Sequence, residues 1–291
     1  MRKRVITGAV FTVIILGGIY LRGWVLRTLM LAAMLIGMFE VYRAVKKTGA
    51  KPAEWAGYVY AVLAVGLQGA GQIQGAPECL KTMNAPATAL LIGLLLGLSA
   101  IVVRGKVDFP SLAATVFPMA YPGFLFSMLA TLQDIENASM ALAALLIAFF
   151  LASINDVFAL FTGMALGKHK LSPEISPKKT IEGSIGGLIA SALFAMLVAW
   201  LIDTAEADEA FAQALRISGS EAEFSIPGFA VMGVFAGCLS QIGDLTASLV
   251  KRHCGVKDYG TIFPGHGGVM DRFDGILFCG AVCAVFFQIM R

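Results

Sequence analysis

Between Asp244 and Gly275 the chain packs carboxylates, cations and glycines into a stretch bounded by two strongly apolar segments. Four carboxylates (Asp244, Asp258, Asp271, Asp274) stand beside four fixed cations (Lys251, Arg252, Lys257, Arg272), with His253, His266 and the turn Pro264-Gly265-His266-Gly267-Gly268 among them. Carboxylates hold divalent metal, cations hold phosphate, and glycine lets backbone approach both. On a helix Gln241, Asp244, Ser248 and either Lys251 or Arg252 follow at intervals of three or four and share one face. Asp271 and Asp274 do the same if the chain is helical from Met270 onward. Carboxylates at two facing helix ends would bind a Mg²⁺ that keeps waters and substrate phosphates in its remaining positions. Interfacial salt bridges are the structural alternative for such a composition.

A second polar stretch begins inside an apolar run, where Ser153, Asn155 and Asp156 interrupt otherwise hydrophobic sequence. A carboxylate there costs several kcal/mol unless it is paired or metal-bound, which makes Asp156 a third candidate for metal. The following segment, 167–183, carries Lys168, Lys170, Lys178 and Lys179, two Ser-Pro steps, and a glycine at each end. Prolines stiffen it, and Thr180 with the backbone N–H groups after it would start a helix whose N-terminus faces an anion. From composition alone, a lysine-rich loop on a membrane surface accounts for it as well.

The elements that must position these groups are membrane spans. With 58% hydrophobic and 14% charged residues and a mean hydropathy of +0.79, the chain lies outside what a soluble domain keeps in solution. The fold class is an all-α integral membrane protein. Apolar runs long enough to span occur near 5–21, 24–44, 55–75, 85–103, 110–131, 140–166, 184–202, 227–250 and 274–290, a polytopic bundle of about nine transmembrane helices. The third carries Gln68, Gln72 and Gln74, and the fifth is broken by Pro118, Pro122 and Gly123, so both are expected to bend or re-enter. Met1-Arg-Lys-Arg before the first run reads as the flank of a retained helix rather than a cleaved signal. With that end inside, most of the 22 basic residues fall in cytoplasmic segments, so the positive-inside bias puts the 244–275 stretch in the cytoplasm. The acidic segment 203–225 is expected outside, with a short amphipathic helix near 205–215.

No inter-span segment is long enough for a soluble core. The chain is therefore expected to form one integral domain over 1–291, with less characteristic N-terminal spans in 1–135 and the chemistry in 140–291. The five cysteines follow no ligand-like or disulfide pattern. Gly163-x-x-x-Gly167, Gly183 with Gly186 and Gly187, and Gly233-x-x-x-Gly237 permit close helix packing, within the bundle or across a homodimer.

The order of residues in the 244–275 stretch resembles the signature of the phosphatidate cytidylyltransferase (CDP-diacylglycerol synthase) family. Ser248, Lys251, Arg252, Lys257, Asp258, Gly260, Pro264, His266, Gly267, Gly268, Asp271, Arg272 and Asp274 fill its positions without insertion or deletion. The run from Gly167 to Gly183 is similar to the family's second shared stretch. Many members carry Asp-Ser-Gly-Ala-Tyr where this chain has Asp156-Val157-Phe158-Ala159-Leu160, so the aspartate is kept and its small polar neighbours are not. The resemblance covers about residues 150–275.

It implies an enzyme of the bacterial inner membrane that transfers CMP from CTP to phosphatidic acid, giving CDP-diacylglycerol and pyrophosphate for phospholipid synthesis. It also implies dependence on Mg²⁺, with room for a second cation, and no nucleic-acid partner. In that reaction Asp244 and Asp271 are the expected principal metal ligands, supported by Asp274 and Asp156. Lys179, Lys251, Arg252, Lys257 and Arg272 are expected to brace the phosphates. His266 is expected to order its loop or donate to phosphate. Ser176, Lys178, Thr180, Ser248, Asp258, Gly267 and Gly268 complete the expected substrate contacts. A CDP-alcohol phosphotransferase is disfavoured, because Asp274-Gly275 runs on into Ile276, Leu277, Phe278 and Cys279 and breaks the Asp-Gly-x-x-Ala-Arg core. An ion-coupled transporter is disfavoured too, because the polar residues crowd into one half of the chain rather than two inverted repeats.

Overall fold

The computed structural model describes residues 2–206, 213, 225–263 and 267–289; of residues 2–7 only the backbone is described. His266, with Pro264 and Gly265, lies outside the described residues, as does nearly all of the helix expected near 205–215. Ten α-helices of more than five residues follow one another among the described residues, interrupted by one β-hairpin. By length and composition seven segments among the described residues are apolar enough to cross a membrane: Gly23–Lys46, Ala85–Val102, Phe109–Asp134, Ala138–Leu166, Ile181–Ala205, Ile226–His253 and Met270–Ile289. The runs expected near 5–21 and 55–75 are also helical, the first within Arg2–Leu21, of which Gly8–Leu21 has described side chains and is apolar. The second, Glu54–Gly71, spends its 18 residues partly on Glu54 and Gln68. The chain is thus a polytopic helical membrane protein. It separates into two compact units, one formed by 1–131 with 251–272 and the other by 132–250 with 273–291.

The first unit contains α1 (Arg2–Leu21), α2 (Gly23–Lys46), α3 (Glu54–Gly71), the short α4 (Glu78–Thr82), α5 (Ala85–Val102), α6 (Phe109–Pro118) and α7 (Leu125–Thr131). Asn84 starts α5 by accepting from the N–H of Ala87 at 3.2 Å, and Asp108 starts α6 by accepting from that of Ser111 at 3.0 Å. Each satisfies one of the donors a helix start leaves over. The expected bend is present: a wide turn, Met119–Phe124, separates α6 from α7, and Tyr121 within it leaves helical geometry. Pro118 and Pro122 supply no N–H for the ladder there, which is the usual cause of such a kink. Buried hydrogen bonds hold the kinked segment, with the Tyr42 hydroxyl donating to Thr115 O at 3.0 Å and the Gln68 amide to Ser127 O at 2.9 Å.

The second unit contains α8 (Ala138–Leu166), a hairpin of β1 (Lys170–Ser172) and β2 (Ser176–Thr180), α9 (Ile181–Glu206), most of α10 (Ile226–His253) and most of α11 (Met270–Ile289). Asn137 starts α8, accepting from Ser139 and Met140 N–H groups. The glycines singled out above let these helices touch backbone to backbone. A Cβ on Gly183 would come within 2.5 Å of Ala159 O, and one on Gly233 within 2.7 Å of Ser191 O. The segment 167–183, expected to be a loop, instead forms an antiparallel ladder pairing Lys170 with Thr180 and Ser172 with Ser176. Pro177 is tolerated because a two-stranded sheet consists of edges, where a missing N–H leaves no inner ladder broken.

Candidate active site

In the second unit the hairpin runs straight into α9 and thereby fixes Lys179. Thr180 acts as the start of α9, its hydroxyl accepting from Gly183 N–H at 3.1 Å. Glu182, in the first turn, reaches back to the base of the hairpin, accepting from Lys168 N–H at 3.0 Å and lying 2.6 Å from the His169 ring nitrogen. Held at both sides, Lys179 forms an ion pair with Asp244 of α10; the two side chains are 24% and 27% exposed. Ser176 lies in the same strand, and Lys178 is exposed.

This pair lines a cavity of about 280 Å³ together with Asp156, Lys178, Thr180, Ser184 and Gln241. Two carboxylates and two lysines are thus brought to one concavity by α8, the hairpin, α9 and α10. Below it a buried network ties three helices. Gln241 donates to Asn155 Oδ1 at 3.0 Å and to Ser184 O at 3.1 Å, while the Ser184 hydroxyl donates to Gln241 Oε1. Asn155 then donates to the Ser191 hydroxyl at 2.9 Å. Gln241 precedes Asp244 by one helical turn and Asn155 adjoins Asp156, so the network sets the rotation of both carboxylate-bearing helices. Asp274, also in this unit, accepts from the N–H of Gly275 at 2.8 Å and does not line the cavity. Ser248 is half-buried on α10.

In the first unit Asp271 is the centre of a separate arrangement. Its carboxylate pairs with the Lys251 ammonium at 2.8 Å and accepts from the N–H groups of Tyr259 at 2.8 Å and Gly268 at 2.9 Å. The pair is well buried, with side chains 14% and 5% exposed for Lys251 and Asp271. The Lys251 ammonium also lies 5.4 Å from the Tyr259 ring centroid, a cation–π distance. Gly267 has φ +83, and a side chain there would press on the Asp271 carboxylate, which accounts for glycine at that position. Arg252, Lys257, Asp258 and Arg272 are exposed, and Cys254 is buried, which pushes its thiol above the ordinary range.

Two residues of α2 that carried no motif complete this arrangement: Glu40, buried at 1% exposure, and Arg43, which donates to Tyr259 O at 2.5 Å. A signal for Glu40 was present in the sequence, since an ionisable residue within an apolar span points to a specific partner. In neither unit do three His, Cys, Asp or Glu side chains converge on one point among the described residues.

One lysine–carboxylate pair in the lining of a cavity and a second, buried one in the other unit, both in a chain of long apolar helices, define a polytopic membrane protein with charged sites. The chain belongs to the cytidylyltransferase family, whose pattern it matches over residues 2–290. It is 35% identical over 175 residues to a phosphatidate cytidylyltransferase of Staphylococcus saprophyticus, a match covering 60% of this chain and 58% of that relative. The enzymes of the same name from Staphylococcus aureus strain COL and Staphylococcus epidermidis are 35% and 34% identical over 177 and 175 residues. The matched part spans 58% of the length of these relatives.

Proposed function

We propose that this protein is a phosphatidate cytidylyltransferase, transferring CMP from CTP to phosphatidic acid in the bacterial inner membrane, with its site and N-terminus cytoplasmic. One observation carries the reading: in a chain of the cytidylyltransferase family, Lys179 and Asp244 are paired in the lining of a cavity that also holds Asp156 and Lys178. The reaction joins a phosphate oxygen of phosphatidic acid to the α-phosphorus of CTP and breaks the bond to the β-phosphate oxygen, so pyrophosphate leaves with the electron pair. The attacking oxygen is already anionic at neutral pH. The protein therefore needs alignment and charge neutralisation rather than a strong base.

The donor set fits a hard divalent cation. Mg²⁺ commonly takes one or two carboxylates and completes its shell with waters and substrate phosphates, and Asp156 with Asp244, both in the cavity lining, would hold it here. When bound, Mg²⁺ would neutralise charge on the reacting phosphates. Asp271, with three donors from its own unit, orders the segment that carries Arg252, Lys257 and Arg272, and we assign Lys178 and Lys179 of the cavity to substrate phosphates. Lys179 is held by Asp244 and turns to phosphate when substrate supplies a stronger anion.

The test is purified protein in neutral detergent with phosphatidic acid, Mg²⁺ and CTP labelled at the α-phosphate. Label should enter chloroform-soluble lipid with one pyrophosphate released per CMP incorporated. Label that stays in the aqueous phase, in protein that is monodisperse and folded, would sink the assignment. A reporter fused after Lys179 should behave as cytoplasmic, and one near Ala207 as exported; the reverse pattern removes the orientation.

A further inference from the structure

Glu40 sits on α2, far in sequence from the signature, yet both of its carboxylate oxygens are spent on that signature. Oε1 accepts from Val269 N–H at 3.1 Å and Oε2 from Met270 N–H at 2.8 Å. Met270 is the first residue of α11, so Glu40 takes up donors that a helix start otherwise leaves unsatisfied, and its charge meets the positive end of the helix dipole. A buried carboxyl in an apolar helix is costly, and these two hydrogen bonds offset that cost.

Shape carries the argument further than hydrogen bonding. A Cβ on either Gly260 or Gly268 would overlap the Glu40 carboxylate, so two small residues of the signature are small because this side chain lies against them. Gly268 is held on both sides: its N–H donates to Asp271, and its Cα packs on Glu40. One turn further along α2, Arg43 holds the carbonyl of Tyr259, whose own N–H donates to Asp271. Thus α2 grips the signature segment at Tyr259, Gly260, Gly268, Val269 and Met270, and fixes the first turn of α11 from which Asp271 meets Lys251.

We propose that Glu40 is a positioning residue for the transfer reaction, setting the placement of Gly260 and of Gly268, Val269 and Met270 so that Asp271 and Lys251 stand in working geometry; this rests on the functional reading above. It touches no reacting atom and acts through Asp271. The test compares Glu40→Gln, which keeps the shape but leaves one acceptor oxygen for two N–H groups, with Glu40→Ala and wild type, in the full-length protein. In Glu40→Gln, kcat should fall about tenfold or more while KM for CTP and for phosphatidic acid stays within about twofold, because alignment rather than binding is lost. The amides of Val269 and Met270 should exchange with solvent about tenfold faster or more, and Glu40→Ala should exceed Glu40→Gln in both. Wild-type kcat in Glu40→Gln, or a lowered kcat with unaltered exchange at these amides, overturns the proposal.

A double-mutant cycle adds a measure of contact. Gly268→Ala should cost activity by driving the carboxylate off its site, and adding Glu40→Ala should cost less than the product of the two single losses. Losses that multiply overturn the contact. Should Glu40→Gln fail to fold, Gly268→Ala takes its place with the same two readouts. If wild-type protein transfers no CMP, the functional reading fails on its own, and the exchange measurement still decides whether Glu40 holds the helix start.

Discussion

Replacing Asp271 by asparagine keeps the side chain's shape and removes its charge, and the consequences can be worked out from three contacts. The Asp271 carboxylate takes two backbone N–H groups on one oxygen and the Lys251 ammonium on the other. An asparagine can present its single oxygen to Tyr259 and Gly268, but its NH₂ then faces the Lys251 ammonium, donor against donor. Turned round, it satisfies lysine and leaves two buried N–H groups without an acceptor. Breaking one side of a buried ion pair costs about 3 to 5 kcal/mol, because the remaining charge stays buried. Against a total stability of about 5 to 15 kcal/mol, Asp271→Asn should fold but melt at a clearly lower temperature. Its turnover should fall at least about a hundredfold, or ~2.7 kcal/mol of transition-state stabilisation, as the segment bearing Arg252, Lys257 and Arg272 loses its anchor.

Thermal unfolding in detergent and CMP incorporation into lipid, measured on one preparation, report the two effects. Adding Lys251→Met to Asp271→Asn removes the stranded ammonium, so part of the lost stability should return while activity does not. An unchanged melting temperature with near-normal turnover in Asp271→Asn would refute the account of this pair.

Lys179→Ala should give a large loss of turnover that persists across a salt series in neutral detergent, because the lysine acts within a cavity; Lys47→Ala, outside both motifs, should give a small defect that salt erases. Equal, salt-sensitive defects at both would mean that the hairpin only recruits anionic lipid. Asn155→Ala takes one hydrogen-bond partner each from Gln241 and Ser191 in the buried network and should destabilise by about 1 to 3 kcal/mol, read by thermal unfolding. A neutral outcome would remove the network from any role in holding α8, α9 and α10. The Ser111 hydroxyl and N–H hold the Asp108 carboxyl below the usual aspartate range, so the start of α6 should be firm above that range and loosen as pH falls through the lowered value. Exchange at the Ser111 and Leu112 amides that does not quicken on acidification would contradict this.

Much of this protein could be read from the order of its residues, for a local reason. Long apolar runs must be helices in a bilayer, since no other open arrangement pairs every backbone N–H and C=O. Asn84, Asp108 and Asn137 start helices through bonds to residues two or three positions away, and the prolines of 118–122 break the ladder where they stand. The residue types were suggestive as well, because carboxylates, lysines and glycines at fixed spacing between apolar segments point to metal, phosphate or salt bridges.

What the order of residues left open was which group meets which. Asp244 and Asp271 read alike as metal ligands, yet tertiary packing gives Asp244 to Lys179 in a cavity with Asp156 and surrounds Asp271 with Lys251 and two backbone N–H groups. Segment 167–183 read as a loop because its prolines weigh against strands, and only the pairing of Lys170 with Thr180 offsets that local preference. Glu40 belonged to no motif: its partners lie some 230 positions away, and a carboxylate in an apolar helix shows that a partner must exist without naming it. Burial makes such pairings strong, and distance along the chain hides them, so only the folded arrangement identifies them.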